Sequence, residues 1–232
     1  MIGPENTTVE VGEKAGELAI LGVGSFEQHS SHLPLETDFF FARKVSRSVA
    51  EKLAAVLLNP LPYSTSLEHR DFPGTVTLRP ETLRRMICEI AESVGSWSIK
   101  YLALINFHGG NFILNPAARE WNMDKKLPHI MVIDYYASFS NMFPNLHAGE
   151  VETSLMLHLA PHKVKTDLPE DFVPGWEPDC LTHFGMQGVS PTGLWGFPSK
   201  ATAEKGEKWF RQSVDYCTGR IEKLIKHYQS LE

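Results

Sequence analysis

Carboxylates and imidazoles, the residue types that bind divalent cations, gather in three short segments of this 232-residue sequence. The first is Gly24-Ser25-Phe26-Glu27-Gln28-His29-Ser30-Ser31-His32-Leu33-Pro34-Leu35-Glu36-Thr37-Asp38, and it begins where an apolar run ends. In extended backbone Glu27 and His29 are two apart and project to the same side. Asp38 follows a proline-containing turn at a predicted helix start. A carboxylate, an imidazole and a second carboxylate converging at one strand end combine hard oxygen with borderline nitrogen, a set suited to Zn²⁺, Mn²⁺ or Fe²⁺. The competing reading is that Asp38 only caps a helix, Glu27 is solvated and His29 is an ordinary loop histidine.

The second segment, His108-Gly109-Gly110-Asn111, follows the clearest buried-strand pattern in the chain. Ligand sites in open α/β sheets collect at the carboxyl ends of strands, and paired glycines allow a metal or substrate to approach the backbone closely. A plain Gly-Gly turn with an incidental histidine is the alternative. The third segment, His147-Ala148-Gly149-Glu150-Val151-Glu152-Thr153-Ser154, leads into an apolar helical pattern. Carboxylates in a first helical turn complement the helix dipole, so Glu150 and Glu152 taken alone read as structural.

The elements that must position these segments alternate between apolar runs and helical stripes, which favours a parallel sheet with crossover helices. Strands are predicted at Leu18 to Val23, Val56 to Leu58, Tyr101 to Ile105 and Ile130 to Ile133. Helices are predicted from Phe41, Val45, Val49 and Leu53, with Asp38 at the N-cap. A second opens at Pro80, and others cover Pro116 to Lys125 and Val151 to Leu159. The chain closes with an amphipathic packing helix through Phe210, Val214, Cys217, Ile221, Leu224 and Tyr228. The predicted architecture is a single α/β domain over residues 1–232, three-layered, with a mainly parallel central sheet and helices on both faces.

Between Asp167 and Lys200 periodicity disappears, and ten of these 34 residues are Gly or Pro, so a long covering loop is expected. Its aromatics Trp176, Phe184, Trp195 and Phe197 argue against a solvated linker. The segment is expected to pack over the cleft or at a subunit contact, with at least two of the four buried.

Composition limits the partners. An apolar share of 42% with 22% charged residues excludes disordered and fibrous classes. With 22 basic and 28 acidic residues the net charge is −6, which argues against nucleic acid or an anionic membrane as a partner. Cys88, Cys180 and Cys217 have no metal or disulfide spacing and read as reduced, buried thiols. No signal peptide or membrane span is expected, which points to the cytoplasm.

Taken together, the three segments resemble the creatininase family of metal enzymes. Its pattern G-S-x-E-Q-H-G-P-H-L-P-L-x-T-D is matched by Gly24-Ser25, Glu27-Gln28-His29, His32-Leu33-Pro34-Leu35 and Thr37-Asp38. N-G-H-G-G-N is matched by Asn106 and His108-Gly109-Gly110-Asn111, and H-A-G-x-x-E-T-S by His147-Ala148-Gly149 and Glu152-Thr153-Ser154. Glu68-His69 with Phe72-Pro73-Gly74-Thr75 is similar to the family's substrate-side loop.

The resemblance implies a cytoplasmic two-metal amidohydrolase holding Zn, Mn or Fe and acting on a small polar molecule. Glu27 and His108 would serve one ion, His29 and Glu152 the other, Asp38 both, and His147 would transfer protons. Ser66, His69, Gly109, Gly110 and Asn111 would line the substrate or brace the ligands, Asn111 by orienting a ligand histidine. It also implies a homo-oligomer, a hexamer built as a trimer of dimers. The sequence departs from the family at Ser30-Ser31, Glu36 and Phe107. Gly110 stands where creatininases proper carry a ligand carboxylate, and Asn141 to Leu146 does not match their tryptophan gate. These last two departures point away from creatinine, toward the His-Gly-Gly-Asn branch that includes formamide deformylases and cofactor-precursor peptidases.

Overall fold

The computed structural model describes residues 1–139 and 143–231. Four parallel strands, β1 (Leu18–Val23), β2 (Val56–Leu57), β3 (Tyr101–Asn106) and β4 (His129–Asp134), form one sheet in the order β2-β1-β3-β4. Around them, among the described residues, lie α1 (Thr8–Lys14), α2 (Thr37–Leu53), α3 (Pro80–Gly95), α4 (Leu114–Met123), α5 (Glu150–Leu159), α6 (Leu181–Val189) and α7 (Ala203–Gln229).

Strand alternation divides the core into two layers. Leu18 and Ile20 of β1, Ala103 and Ile105 of β3, and Met131 and Ile133 of β4 pack against α2, α5 and α7. Ala19, Leu21, Leu102, Leu104 and Ile130 point the other way, against α3 and α4. Both faces of a parallel sheet are thus covered, which is why β1 and β3 are buried at every position. The predicted three-layer α/β arrangement is the one observed.

Close approach of α2 to β1 decides where the first segment begins. A Cβ on Gly24 would stand 2.6 Å from Phe39 Cα, so only glycine lets the helix start against the strand end. This contact draws the first turn of α2 over the strand tip. Glu36 is the N-cap of α2, and Asp38 lies inside the first turn, buried. The expectation that Asp38 caps the helix is therefore corrected: its side chain turns inward and accepts a hydrogen bond from Ser25 Oγ at 2.7 Å.

Sequence patterning missed two helices. α1 is a two-turn helix with a Thr7–Glu10 capping box and no buried residue, so it has no apolar stripe to read. The stretch from Asp167 to Lys200 is not wholly a loop, because it contains α6, kinked at Gly185. Of its four aromatics Trp195 is buried and Phe197 half-buried, while Trp176 and Phe184 are exposed and pair with each other. The expectation of two buried aromatics thus holds for one. Cys217 is buried, but Cys88 and Cys180 are only partly so. No helix among the described residues is long and apolar enough to cross a membrane.

Candidate metal centre

Every segment singled out by residue type arrives at the carboxyl end of the sheet. Ser25 to His32 leaves β1, His108 to Asn111 leaves β3, Tyr136 follows β4, and His147 to Glu152 opens α5. Glu27, His29, Asp38, His108, His147 and Glu152 are all buried there, as are Ser66, His69 and Asn111. The reading of Glu27 as solvated does not hold, and His29, although on the loop between β1 and α2, is fully buried. Glu150, by contrast, pairs with Lys205 Nζ at 2.6 Å near the surface, a structural task.

The two carboxylate oxygens of Asp38 face different histidines. Oδ1 lies 3.4 Å from His29 Nε2, and Oδ2 lies 3.3 Å from His108 Nδ1. Glu152 Oε2 is 3.9 Å from His29 Nε2, and Glu27 Oε2 is 3.1 Å from His108 Nε2. His147 Nδ1 stands 3.8 Å from Glu27 Oε1, and its ring lies between those of His29 and His69, tilted against each with centroids 4.3 and 4.4 Å away. Ligand-forming atoms of His29, His147 and Glu152, of Glu27, His29 and Asp38, and of Glu27, His69 and His147 each lie within 4.8 Å of one another.

Hydrogen bonds behind these atoms fix their orientation. His29 Nδ1 donates to Glu27 O at 3.1 Å, which leaves Nε2 facing Asp38 and Glu152. Glu152 Oε2 accepts from the Ala148 N–H at 2.5 Å, while Tyr136 Oη gives its hydrogen to Phe107 O at 2.6 Å and stands 3.4 Å from Glu152 Oε1. His147 Nε2 donates to Gln28 O at 2.7 Å, so Nδ1 is the free nitrogen. Gln28 Nε2 donates to Gly193 O and to His69 Nδ1, while its Oε1 accepts from the Ser30 N–H. One glutamine thereby ties the covering segment to two histidines.

Electrostatics follow from burial and from neighbours. Burial opposes charge on His29, but Asp38 and then Glu152 beside it raise its pKa to about 9. His108 is likewise held well above its ordinary value, burial being outweighed by Glu27 and Asp38. Burial opposes the Asp38 charge too, yet His29 and His108 keep that carboxyl well below the usual range. Burial pushes Glu27 up, and it pushes Glu152 up to about 7. His147 and His69 are lowered well below the ordinary value by burial and by the other histidines, so they are neutral at pH 7.

The residues expected around this cluster behave unevenly. Asn111 does not orient a ligand histidine directly. Its amide donates to Asn106 Oδ1 and Gly24 O and accepts from the Thr65 N–H, bracing the loop. The Ser66 hydroxyl is buried without a hydrogen-bond partner, while its N–H donates to Thr77 Oγ1. Gly109 is exposed and has no neighbour within 4 Å of its Cβ direction, so it borders open space. Gly110 lies against Glu68, His108 and Thr65. At the departures from the family pattern, Phe107 packs on Tyr135 and Glu36 pairs with Lys163. Asn141 and Met142 lie outside the described residues.

Glu68 and Tyr136 were not anticipated as parts of the cluster. Tyr136 offers no sequence signal, since a tyrosine after a strand is commonplace. Glu68 had one: a carboxylate missing at Gly110 invites a replacement from elsewhere.

A three-layer α/β chain with buried carboxylates and imidazoles converging at one end of its sheet is a class shared by many hydrolases. Comparison with known proteins narrows it. Residues 5–221 match the family model described as creatinine amidohydrolase, so the chain belongs to the creatininase family and is a hydrolase of that family. It is 32% identical over 220 residues to a mycofactocin precursor peptide peptidase of Mycobacterium ulcerans, spanning 87% of this chain and 83% of that protein. It is 29% identical over 223 residues to a creatinine amidohydrolase of Pseudomonas putida, spanning 83% and 84%. A mutant creatininase described as of Zn–Zn type superposes with a TM-score of 0.77 at 25% identity, covering 94% of this chain and 96% of its own.

Proposed function

We propose that this chain is a metal-dependent amidohydrolase that cleaves a non-peptide C–N bond, an amide, cyclic amide or formamide, in a small polar molecule. One observation carries the reading. Both Glu27 oxygens, Asp38 Oδ1, His29 Nε2 and His108 Nε2 are buried in one cluster without a hydrogen-bond partner. Burying polar groups unpaired costs several kcal/mol in all, and a divalent cation is the partner this donor set fits. Glu27 and His108 would hold one ion and His29 and Glu152 a second, with Asp38 between the two histidines, its Oδ1 toward His29 Nε2 and its Oδ2 toward His108 Nδ1. The Zn–Zn description of a related creatininase supports a pair.

Bound there, a pair of ions supplies an activated water and polarises the carbonyl it attacks. The chain's own residues handle the proton. Nδ1 of His147 is unprotonated at neutral pH and faces the cluster, so it is placed to accept the proton lost by water and return it to the departing nitrogen. Amide nitrogen leaves poorly unless protonated, which gives that second transfer its purpose. Gln28 O holds the ring for both steps. Gly109, exposed beside the buried His108, is the side from which a substrate would approach the cluster.

A second reading is favoured by the relative at 32% identity, which is a peptidase acting on a cofactor-precursor peptide. The same chemistry applies to a peptide bond, and only access separates the two. The test is to load metal-free protein with Mn²⁺, Zn²⁺ or Fe²⁺ and offer cyclic amides, formamides and short peptides. Turnover of the first two classes is expected. Turnover of peptides alone establishes the second reading, and bound metal with no amide cleaved would leave a non-catalytic metal protein.

A further inference from the structure

We infer that Glu68 is a further metal-binding carboxylate, reaching the His108 side of the centre through the space that Gly110 leaves free. The inference rests on the metal-centre reading above. Glu68 Oε1 lies 3.2 Å from His108 Nε2, and Glu27 Oε2 lies 3.1 Å from the same nitrogen. Metal–ligand bonds of about 2.0–2.2 Å leave neighbouring ligand atoms roughly 3–3.6 Å apart. Both carboxylates therefore stand at ligand spacing from one imidazole. His108 Nε2 and both Glu27 oxygens are buried without an aligned hydrogen bond, although the carboxylates stand close to the imidazole, an arrangement that a cation between them would satisfy.

The glycine explains how a residue from another loop gets there. A Cβ on residue 110 would lie 2.2 Å from Glu68 Oε1 and 2.3 Å from His108 Nε2. Any side chain at 110 would push the Glu68 carboxylate out. A glycine at 110 and a carboxylate at 68 thus form a pair, one vacating the position and the other filling it.

The covering segment holds Glu68 from behind. Gly185, at φ +64 in the kink of α6, directs its Cβ position 3.2 Å from Glu68 O, so the helix rests on that backbone. Met186 and Trp195 of the same segment are buried in a small cluster with Phe72, which ends the turn bearing Glu68. The carboxylate is thus carried on a supported turn, with its side chain only 18% exposed.

The alternative is that Glu68 merely forms an ion pair with His108. The two differ in what the Glu68→Gln variant does to metal binding. Metal-free wild type and E68Q are titrated with Zn²⁺ against a chromophoric chelator, and with Co²⁺ while the visible ligand-field bands are recorded. If Glu68 is a ligand, wild type takes two equivalents, and in E68Q one of them weakens by more than ~100-fold while the other is unchanged. That loss exceeds the 10–100-fold typical of a group acting through a ligand. The Co²⁺ bands of the weakened site also intensify as its coordination number drops. Glu68→Asp, which keeps the charge one methylene back, retains both equivalents with a smaller loss, and it guards against misfolding of the amide variant. Two equivalents in E68Q within ~10-fold of wild type, with unchanged Co²⁺ bands, would overturn the assignment. Wild type that binds no Zn²⁺ at all would instead sink the metal centre itself, and Glu68 with it.

Discussion

His29 and Glu152 meet on a side of the centre closed by the first turn of α5, whereas His108 and Glu68 meet on a side closed by turns. On the first side Glu152 is held by the Ala148 backbone N–H, and His29 is wholly buried. On the second, Glu68 sits on a three-residue turn and Gly109 borders open space. A helix end presents a carboxylate with little freedom, because its backbone is fixed by the helix and its dipole favours the charge. A turn presents one only if other segments press it into place, and here α6 does so. The first side is closed throughout, whereas the second borders open space at Gly109.

Removing the residue that both sides share should have the largest effect. Asp38→Ala is expected to abolish turnover and strip metal from both sides, well beyond the 10–100-fold of an indirect contact. Metal analysis of the purified variant decides it, and two full equivalents would show that the sides do not depend on Asp38.

His147 lies between the sides, its ring over those of His29 and His69. His147→Ala should lower turnover by about 10²–10⁴-fold while metal content stays at the wild-type value, the mark of lost proton transfer. A variant that loses metal in proportion to rate would make His147 a ligand instead, consistent with its closeness to His29 and Glu152.

The smallest effect is on stability against pH in the metal-free protein. The folded-state pKa of His29 is raised to about 9, above its ordinary 6.5. Folded protein therefore binds more protons than unfolded protein between these values, and the stabilisation is complete below about 6.5 and lost as pH rises through 9. Lowered histidines such as His147 and His69 act in the opposite sense, because the unfolded chain protonates them near and below 6.5, and their contribution fades as pH rises through the window. Melting temperature should fall by several degrees from pH 7 to pH 9, on the order of 2 kcal/mol. His29→Ala should flatten part of the slope, leaving the shares due to His108 and, near pH 7, to Glu152. A wild-type melting temperature that rises over this range would contradict the charge assignment.

Short-range patterning in the sequence already determined the sheet, its buried strands and most of the helices. β1 and β3 are continuous apolar runs because both their faces are covered, and α2, α3 and α7 carry apolar residues at helical spacing. The three metal-type segments were also legible, since each couples a strand end or helix start with residues of one chemistry. What only the tertiary structure decided concerns atoms brought together from distant segments. Whether Asp38 caps a helix or turns inward depends on how closely α2 meets Gly24, a contact no periodicity encodes. α6 escaped notice because nine residues with two glycines and two buried side chains carry no readable stripe, and its position is set by packing on the turn at Glu68. That turn, in turn, brings its carboxylate to His108 across a gap that a glycine leaves. A sequence shows such a gap as a missing residue, and only three-dimensional packing shows what fills it.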